Sequence, residues 1–228
     1  MRKLLILPLL GLAFTAVPAA AQDNRFTLPP GQARAVVADY ARCVVRRERG
    51  TVRAALLAWS PGRGEPRLPF IDDCGSVAYP TTEMSFPPAT YRYAMAEALY
   101  LADYGSRAPT SFDAVPLAAP PEVSAPEGAS PAARAAYDEA AAERYRLIIG
   151  DCVVRTAPAA AHAMLTSQVE TQAETVALIA LQPVLGQCLP RGQVARFNRT
   201  SLRGILALVA LRLAAAAGAT AQSSGGTH

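Results

Sequence analysis

The chain of 228 residues is 51% hydrophobic, 18% charged and 7% aromatic, with 22 basic against 18 acidic residues. That apolar share supplies one ordinary core or two small ones and excludes a charge-driven disordered chain. Its 19 prolines and 15 glycines are too few and too unevenly placed for a collagen-like repeat.

Arg2 and Lys3 precede an apolar run from Leu4 to Val17, and small residues follow at Ala19, Ala20 and Ala21. A charged start, a short apolar stretch and an Ala-x-Ala site define a secretory signal peptide over 1–21, with cleavage expected after Ala21. The run is short for a membrane span, and no cysteine follows the site to carry a lipid anchor. Losing Arg2 and Lys3 leaves 20 basic residues, all arginine, against 18 acidic, a net charge of +2. A nearly neutral exported chain lacks the basic footprint that nucleic acid requires, so the expected location is periplasmic or secreted.

Residues 22–32 are polar and read as a loose leader. Val36, Val37, Tyr40, Val44 and Val45 recur at helical spacing and predict a helix over 33–49. Gly50-Thr51 is expected to break it before a short helix over 52–59. Residues 60–88 are rich in proline and glycine and are expected to be irregular, pinned by Cys74; a helix over 88–103 follows. Residues 106–132, with Pro109, Pro116, Pro120, Pro121, Pro126 and Pro131, have a linker's composition and are expected to cross the surface as an exposed strap. Helices are then predicted over 132–155, 158–165, 169–181 (ending near Pro183) and 199–216, with Asn198 as the last one's N-cap and a frayed tail over 217–228. Gly204–Leu211 is apolar all round, but Arg203 and Arg212 bound it too closely for a span, so it is expected to be a buried helix.

An internal comparison organises these elements. Cys43-Val44-Val45-Arg46 returns as Cys152-Val153-Val154-Arg155, and Ala54-Ala55-Leu56 aligns with Ala163-Met164-Leu165. Phe86, Thr90, Tyr91, Arg92, Met95 and Ala96 correspond to Phe197, Ser201, Leu202, Arg203, Leu206 and Ala207. The fold class expected is all-α: a tandem duplication of a small disulfide-stapled helical unit, repeat one over 33–105 and repeat two over 133–216, with the two halves packed together. Equivalent halves favour Cys43–Cys74 and Cys152–Cys188, with Cys43–Cys188 and Cys74–Cys152 as the alternative should the halves interlock. The duplicated Cys-Val-Val-Arg and the downstream Leu-Arg-Gly block resemble a group of exported, Ala/Arg-rich bacterial proteins without an assigned activity. That resemblance implies a helical, disulfide-bearing secreted unit and no particular chemistry.

Candidate site residues are few. Arg42, Arg46, Arg49 and Arg53 fall on one face of a continuous helix and could grip an anion; a solvated face is the competing reading, and Gly50 threatens the continuity. Arg46 with Arg155, and Arg92 with Arg203, are basic in both halves, which favours a shared structural role at helix C-terminal carbonyls or a carboxylate over a pair of anion pockets. Asp72-Asp73 reads as a solvated turn rather than a calcium loop, the tyrosines around Tyr91–Tyr104 as packing, Trp59 as an anchor and His162 as an exposed helix position. No spacing matches a zinc site, attached haem, a nucleotide loop or a catalytic serine, so no metal, cofactor or catalytic residue is expected. The sequence favours a non-enzymatic binding or structural module whose partner is an envelope protein, a lipid headgroup or a glycan. The alternative is an envelope hydrolase or lyase working through Asp72, Asp73 or Glu97.

Overall fold

A computed structural model describes residues 29–75, 87–107, 111–112, 115–116, 119–189 and 197–224. The predicted signal peptide and most of the leader lie outside the described residues, as do the last four residues of the tail. Among those described there are seven helices and no strand: α1 (Pro30–Ala58), α2 (Asp72–Gly75), α3 (Pro88–Tyr104), α4 (Pro131–Thr156), α5 (Pro158–Thr166), α6 (Gln172–Cys188) and α7 (Arg199–Ser224).

Proline opens α1, α3, α4 and α5, where its missing N–H costs nothing and its fixed φ suits the first turn. Ser130 caps α4 by accepting from the Ala133 N–H at 3.2 Å, and Asn198 caps α7 through the Ser201 N–H at 2.7 Å. The break expected at Gly50-Thr51 falls instead at Glu48 (φ −127°, ψ 34°), and the helix continues beyond it. A matching break separates α4 from α5 at Ala157 (φ −140°, ψ 64°), offset from Glu48 by the same interval that separates Cys43 from Cys152.

Three other boundaries differ from expectation. Residues 30–32, read as leader, form the first turn of α1. The helix expected to end by Leu181 runs through Pro183 to Cys188. Pro183 removes a hydrogen bond to the carbonyl of Ile179, an exposed position where that loss is cheap. α7 extends past Ala216 to Ser224 because the alanine run Ala214–Ala217 favours helix more than the Gly/Ser composition opposes it.

Both disulfides join cysteines within a half. Cys43–Cys74 ties α1 to α2, and Cys152–Cys188 ties α4 to the end of α6, with Cα separations of 5.6 and 5.7 Å. Such bonds belong to an oxidising compartment.

One hydrophobic cluster runs through both halves, from Val44 and Leu56 of α1 and Leu99 of α3 to Leu147 of α4 and Leu206 of α7. α7 is its axis. Leu202 to Leu211 are all buried, against α3 and α4 above all and also α1 and α5. By length and hydropathy Arg199–Gly218 is long and apolar enough to cross a membrane, but 61% of its apolar window is covered by the protein itself. Glycine permits the closest approaches. A Cβ on Gly204 would lie 2.1 Å from that of Tyr93, and one on Gly150 would lie 2.5 Å from Ile205 Cγ2. Tyr93 and Gly204 are equivalent in the internal alignment, so α3 and α7 touch each other at matching residues.

The segment between the halves is not a wholly exposed strap. Phe112 is buried in the common core, and Arg155 donates to its carbonyl at 2.5 Å. Arg144 holds the Pro120 carbonyl at 2.9 Å. One aromatic anchor and two arginine contacts offset part of the ordering cost that proline content alone suggests.

A candidate site at the junction of the halves

The arginine stripe of α1 does not form one anion site. Arg42 pairs with Asp39 one turn back. Arg49 and Arg53, beyond the kink, both bond the buried carboxylate of Asp103 on α3. Arg46 is exposed, without a hydrogen bond or ion pair among the described residues. The kink at Glu48 divides the stripe, and Asp103 neutralises its second part.

The two shared pairs differ as well. Arg46 and Arg155 do not share a role: Arg155 bonds Asp151 and the Phe112 carbonyl, while Arg46 faces solvent. Arg203, in contrast, is 1% exposed and fully engaged. Its Nε and one terminal nitrogen hold Glu97 of α3 at 3.0 and 2.5 Å. Its terminal nitrogens also reach the carbonyls of Met164, Leu165 and Ser167 at 2.7–3.0 Å and the Ser167 hydroxyl at 3.0 Å. These carbonyls end α5, so Arg203 is a C-terminal cap bonded to a carboxylate. Glu174, at the start of α6 and fully buried, completes the cluster by accepting from Arg34 at 2.5 Å. Those cations hold its carboxyl below the ordinary glutamate range against the opposing effect of burial.

Arg92, the counterpart of Arg203, is 2% exposed and differently placed. One terminal nitrogen bonds Glu65 and the other Glu143 at 2.8 Å, while its Nε has no hydrogen-bond partner among the described residues. Its guanidinium lies 3.9 Å over the Trp59 ring. Arg212 stands 5.7 Å from the same ring and caps the end of α1 at the Leu56 and Trp59 carbonyls. Burial and the neighbouring Arg92 cation lower the Arg212 guanidinium to about 10. Trp59 itself is fixed by donation from its indole Nε1 to the Gly64 carbonyl at 2.8 Å.

Glu143 is the centre of this arrangement. It sits on α4 in line with Leu147, Gly150 and Val154, one acidic group on an otherwise apolar helix face. Tyr93 Oη reaches its two oxygens at 2.8 and 2.6 Å, and Arg146 donates to it at 3.0 Å. Burial and the adjacent carboxylate raise the Tyr93 phenol well above its ordinary range.

An open crevice of about 270 Å³ lies beside these groups, walled by Trp59, Glu65 and Arg92 from the first half and by Tyr137, Glu139 and Glu143 from the second. Small residues, Gly62, Gly64, Ala89, Ala136 and Ala140, keep it clear. Gly62 and Gly64 adopt positive φ (82° and 77°), which turns the Pro-rich segment around Trp59.

A second cavity, about 120 Å³, lies between α1 and α3 and is mostly apolar. Its charged neighbours are committed elsewhere: Arg34 to Glu170 and Glu174, Arg42 to Asp39 and Glu97 to Arg203. The junction crevice, which retains uncommitted polar atoms, is the better candidate.

The remaining acidic candidates do not converge there. Asp72 and Asp73 are exposed on the first turn of α2, and Glu97 is held by Arg203. His162 is partly buried rather than exposed, bonded through Nδ1 to Tyr100 Oη at 2.8 Å, and burial lowers its pKa. Tyr93 and Tyr100 pack in the core, as expected. Among the described residues no three His, Cys, Asp or Glu side chains are grouped to hold a metal ion.

Sequence reasoning singled out Arg92 and Trp59 but missed Glu65, Glu143 and Arg212. For Glu143 a signal existed: an acid on the apolar stripe of a helix must find a buried partner. No protein-family model matches this chain, and neither a curated protein nor a solved structure is significantly similar to it.

Proposed function

We propose that the chain is an exported, non-enzymatic binding module, built by duplication of a disulfide-stapled helical unit, whose ligand enters the crevice at the junction of the two halves. The observation that carries this reading is the crevice itself: buried polar groups converge from both halves while their small neighbours leave the space open. Periplasmic or secreted placement is supported by the Arg2-Lys3 start with its apolar run and by two disulfides. Arg203 is structural in this reading, and Arg92 is the counterpart released for recognition.

The test compares the wild-type chain with Ala140→Leu, which adds side-chain bulk to the crevice wall without removing a core contact. Each is immobilised and exposed to an envelope extract. A component retained by wild type and lost with Ala140→Leu supports the reading; equal retention by both, or none by either, contradicts it.

A further inference from the structure

We infer that the junction crevice binds one neutral sugar residue of a glycan through Arg92, Glu65, Glu139 and Tyr137. This rests on the crevice being the binding site and specifies the chemistry that fits it.

The first observation is the charge balance. Glu65, Glu139 and Glu143 are matched by Arg92, by Arg146 bridging Glu139 and Glu143 at 2.9 and 3.0 Å, and by Arg212 behind Trp59. Adding an anion places it beside three carboxylates, and adding a cation places it beside three guanidinium groups. Neither gains a net counter-charge, so a lipid phosphate and a polyamine are both poor occupants.

The second observation is which polar atoms remain without partners. Arg92 Nε, a buried donor, has none. Glu65 accepts from Arg92 through Oε2 alone, leaving Oε1; Glu139 accepts from Arg146 through Oε1 alone, leaving Oε2. Tyr137 is partly buried, with no hydrogen bond to its hydroxyl among the described residues. One buried donor, two carboxylate acceptors and a phenol that can do either suit groups that both donate and accept. A ring carrying several hydroxyls has that pattern. A cation cannot accept from Arg92 Nε, and a lipid phosphodiester has no proton to donate to the carboxylates.

The third observation is shape. About 270 Å³ stands at the lower edge of ligand clefts, roughly 300 Å³, and suits one ring rather than a lipid or a folded peptide. Tyr137, with Ala89, Ala136 and Ala140, supplies an apolar wall for a C–H face of the ring.

Trp59 is the chain's sole tryptophan, so its emission reports on the crevice directly. The full mature chain is titrated with cellobiose, di-N-acetylchitobiose, spermidine and inorganic phosphate while Trp59 fluorescence is followed. We expect at least one disaccharide to give a saturable change with Kd of about 1 mM or tighter. Ala140→Leu is expected to weaken it by about tenfold or more, the scale on which a fitted pocket rejects added bulk. Glu139→Gln, at an exposed position, is expected to weaken it less. If both disaccharides are silent while spermidine or phosphate gives a change sensitive to Ala140→Leu, the sugar assignment is overturned and the crevice remains a binding site. If all four probes are silent, the sugar assignment fails; an envelope extract that also leaves Trp59 unchanged then removes the crevice as a site.

Discussion

Arg92 and Arg203 occupy matching positions in the two halves and are equally buried, yet one has every donor nitrogen engaged and the other does not. Around Arg203 the chain supplies a full helix, α6, whose buried Glu174 joins Glu97 and three carbonyls in closing the cluster. Around Arg92 the corresponding stretch is a proline-rich loop that supplies, among the described residues, Glu65, and the buried Arg92 Nε is left without a partner. A buried donor without a partner costs about 1–3 kcal/mol, and Arg212 Nε carries the same cost beside the same ring. Where the halves depart from each other, Arg203 closes a helix end, and Arg92 is the residue we propose for recognition.

The largest effect should come from breaking the closed cluster. Arg203→Leu leaves the Glu97 carboxylate and the Leu165 and Ser167 carbonyls without their arginine partner, and urea unfolding is expected to show a loss of about 3–5 kcal/mol. Arg92→Leu should cost less, about 1–3 kcal/mol, because Glu143 keeps Tyr93 and Arg146. Equal losses would erase the distinction drawn between the two arginines.

Next come the disulfides, which test whether the halves are equally dependent on their staples. With separations of 31 and 36 residues, replacing either pair by serines should cost about 3–4 kcal/mol in the chain-entropy view. A markedly larger loss for Cys152 and Cys188, measured by thermal unfolding, would mean that the second half alone supports the fold.

Gly204→Ala probes the contact between equivalent helices. Its new Cβ meets the backbone-anchored Cβ of Tyr93 rather than a flexible tip, so α3 and α7 must separate. About 1–3 kcal/mol of stability should be lost, and Tyr93 with its bond to Glu143 should shift. A neutral result in calorimetry would deny the close packing at this point.

The smallest effect is acid sensitivity. Glu174 has a folded pKa below its ordinary value, so its contribution is full above the ordinary glutamate range and disappears as pH falls through the lowered value. Unfolding free energy should therefore decrease as pH falls from about 6 into and below the ordinary glutamate range, and Glu174→Gln should flatten that slope. An unchanged slope would assign the acid sensitivity to other carboxylates.

Much of the scaffold is legible in the sequence because it rests on local signals. Apolar periodicity locates the helices, the repeated Cys-Val-Val-Arg favours the disulfide pairing, and the all-apolar face of Gly204–Leu211 requires burial. The exceptions have physical causes. Glu48 takes the kink near an unobstructed Gly50, and Pro183 is tolerated on an exposed helix face. Phe112 anchors a segment whose composition reads as linker. The site is less legible because it is assembled across the fold: Arg92 meets Glu65 from 27 residues before it and Glu143 from 51 residues after it. No local spacing encodes such a meeting. Arg92 is marked as a buried shared arginine, but only the packing of α4 against the loop around Trp59 shows that its surroundings are open.

The most direct test observes the two arginines together. Side-chain Nε–Hε resonances of Arg92 and Arg203 are recorded in the free chain and with saturating neutral disaccharide. The account predicts that the Arg92 signal moves as its Nε gains an acceptor, while the Arg203 signal, already bonded to Glu97, stays in place. An Arg92 signal that does not move, or two signals that move together, would contradict it.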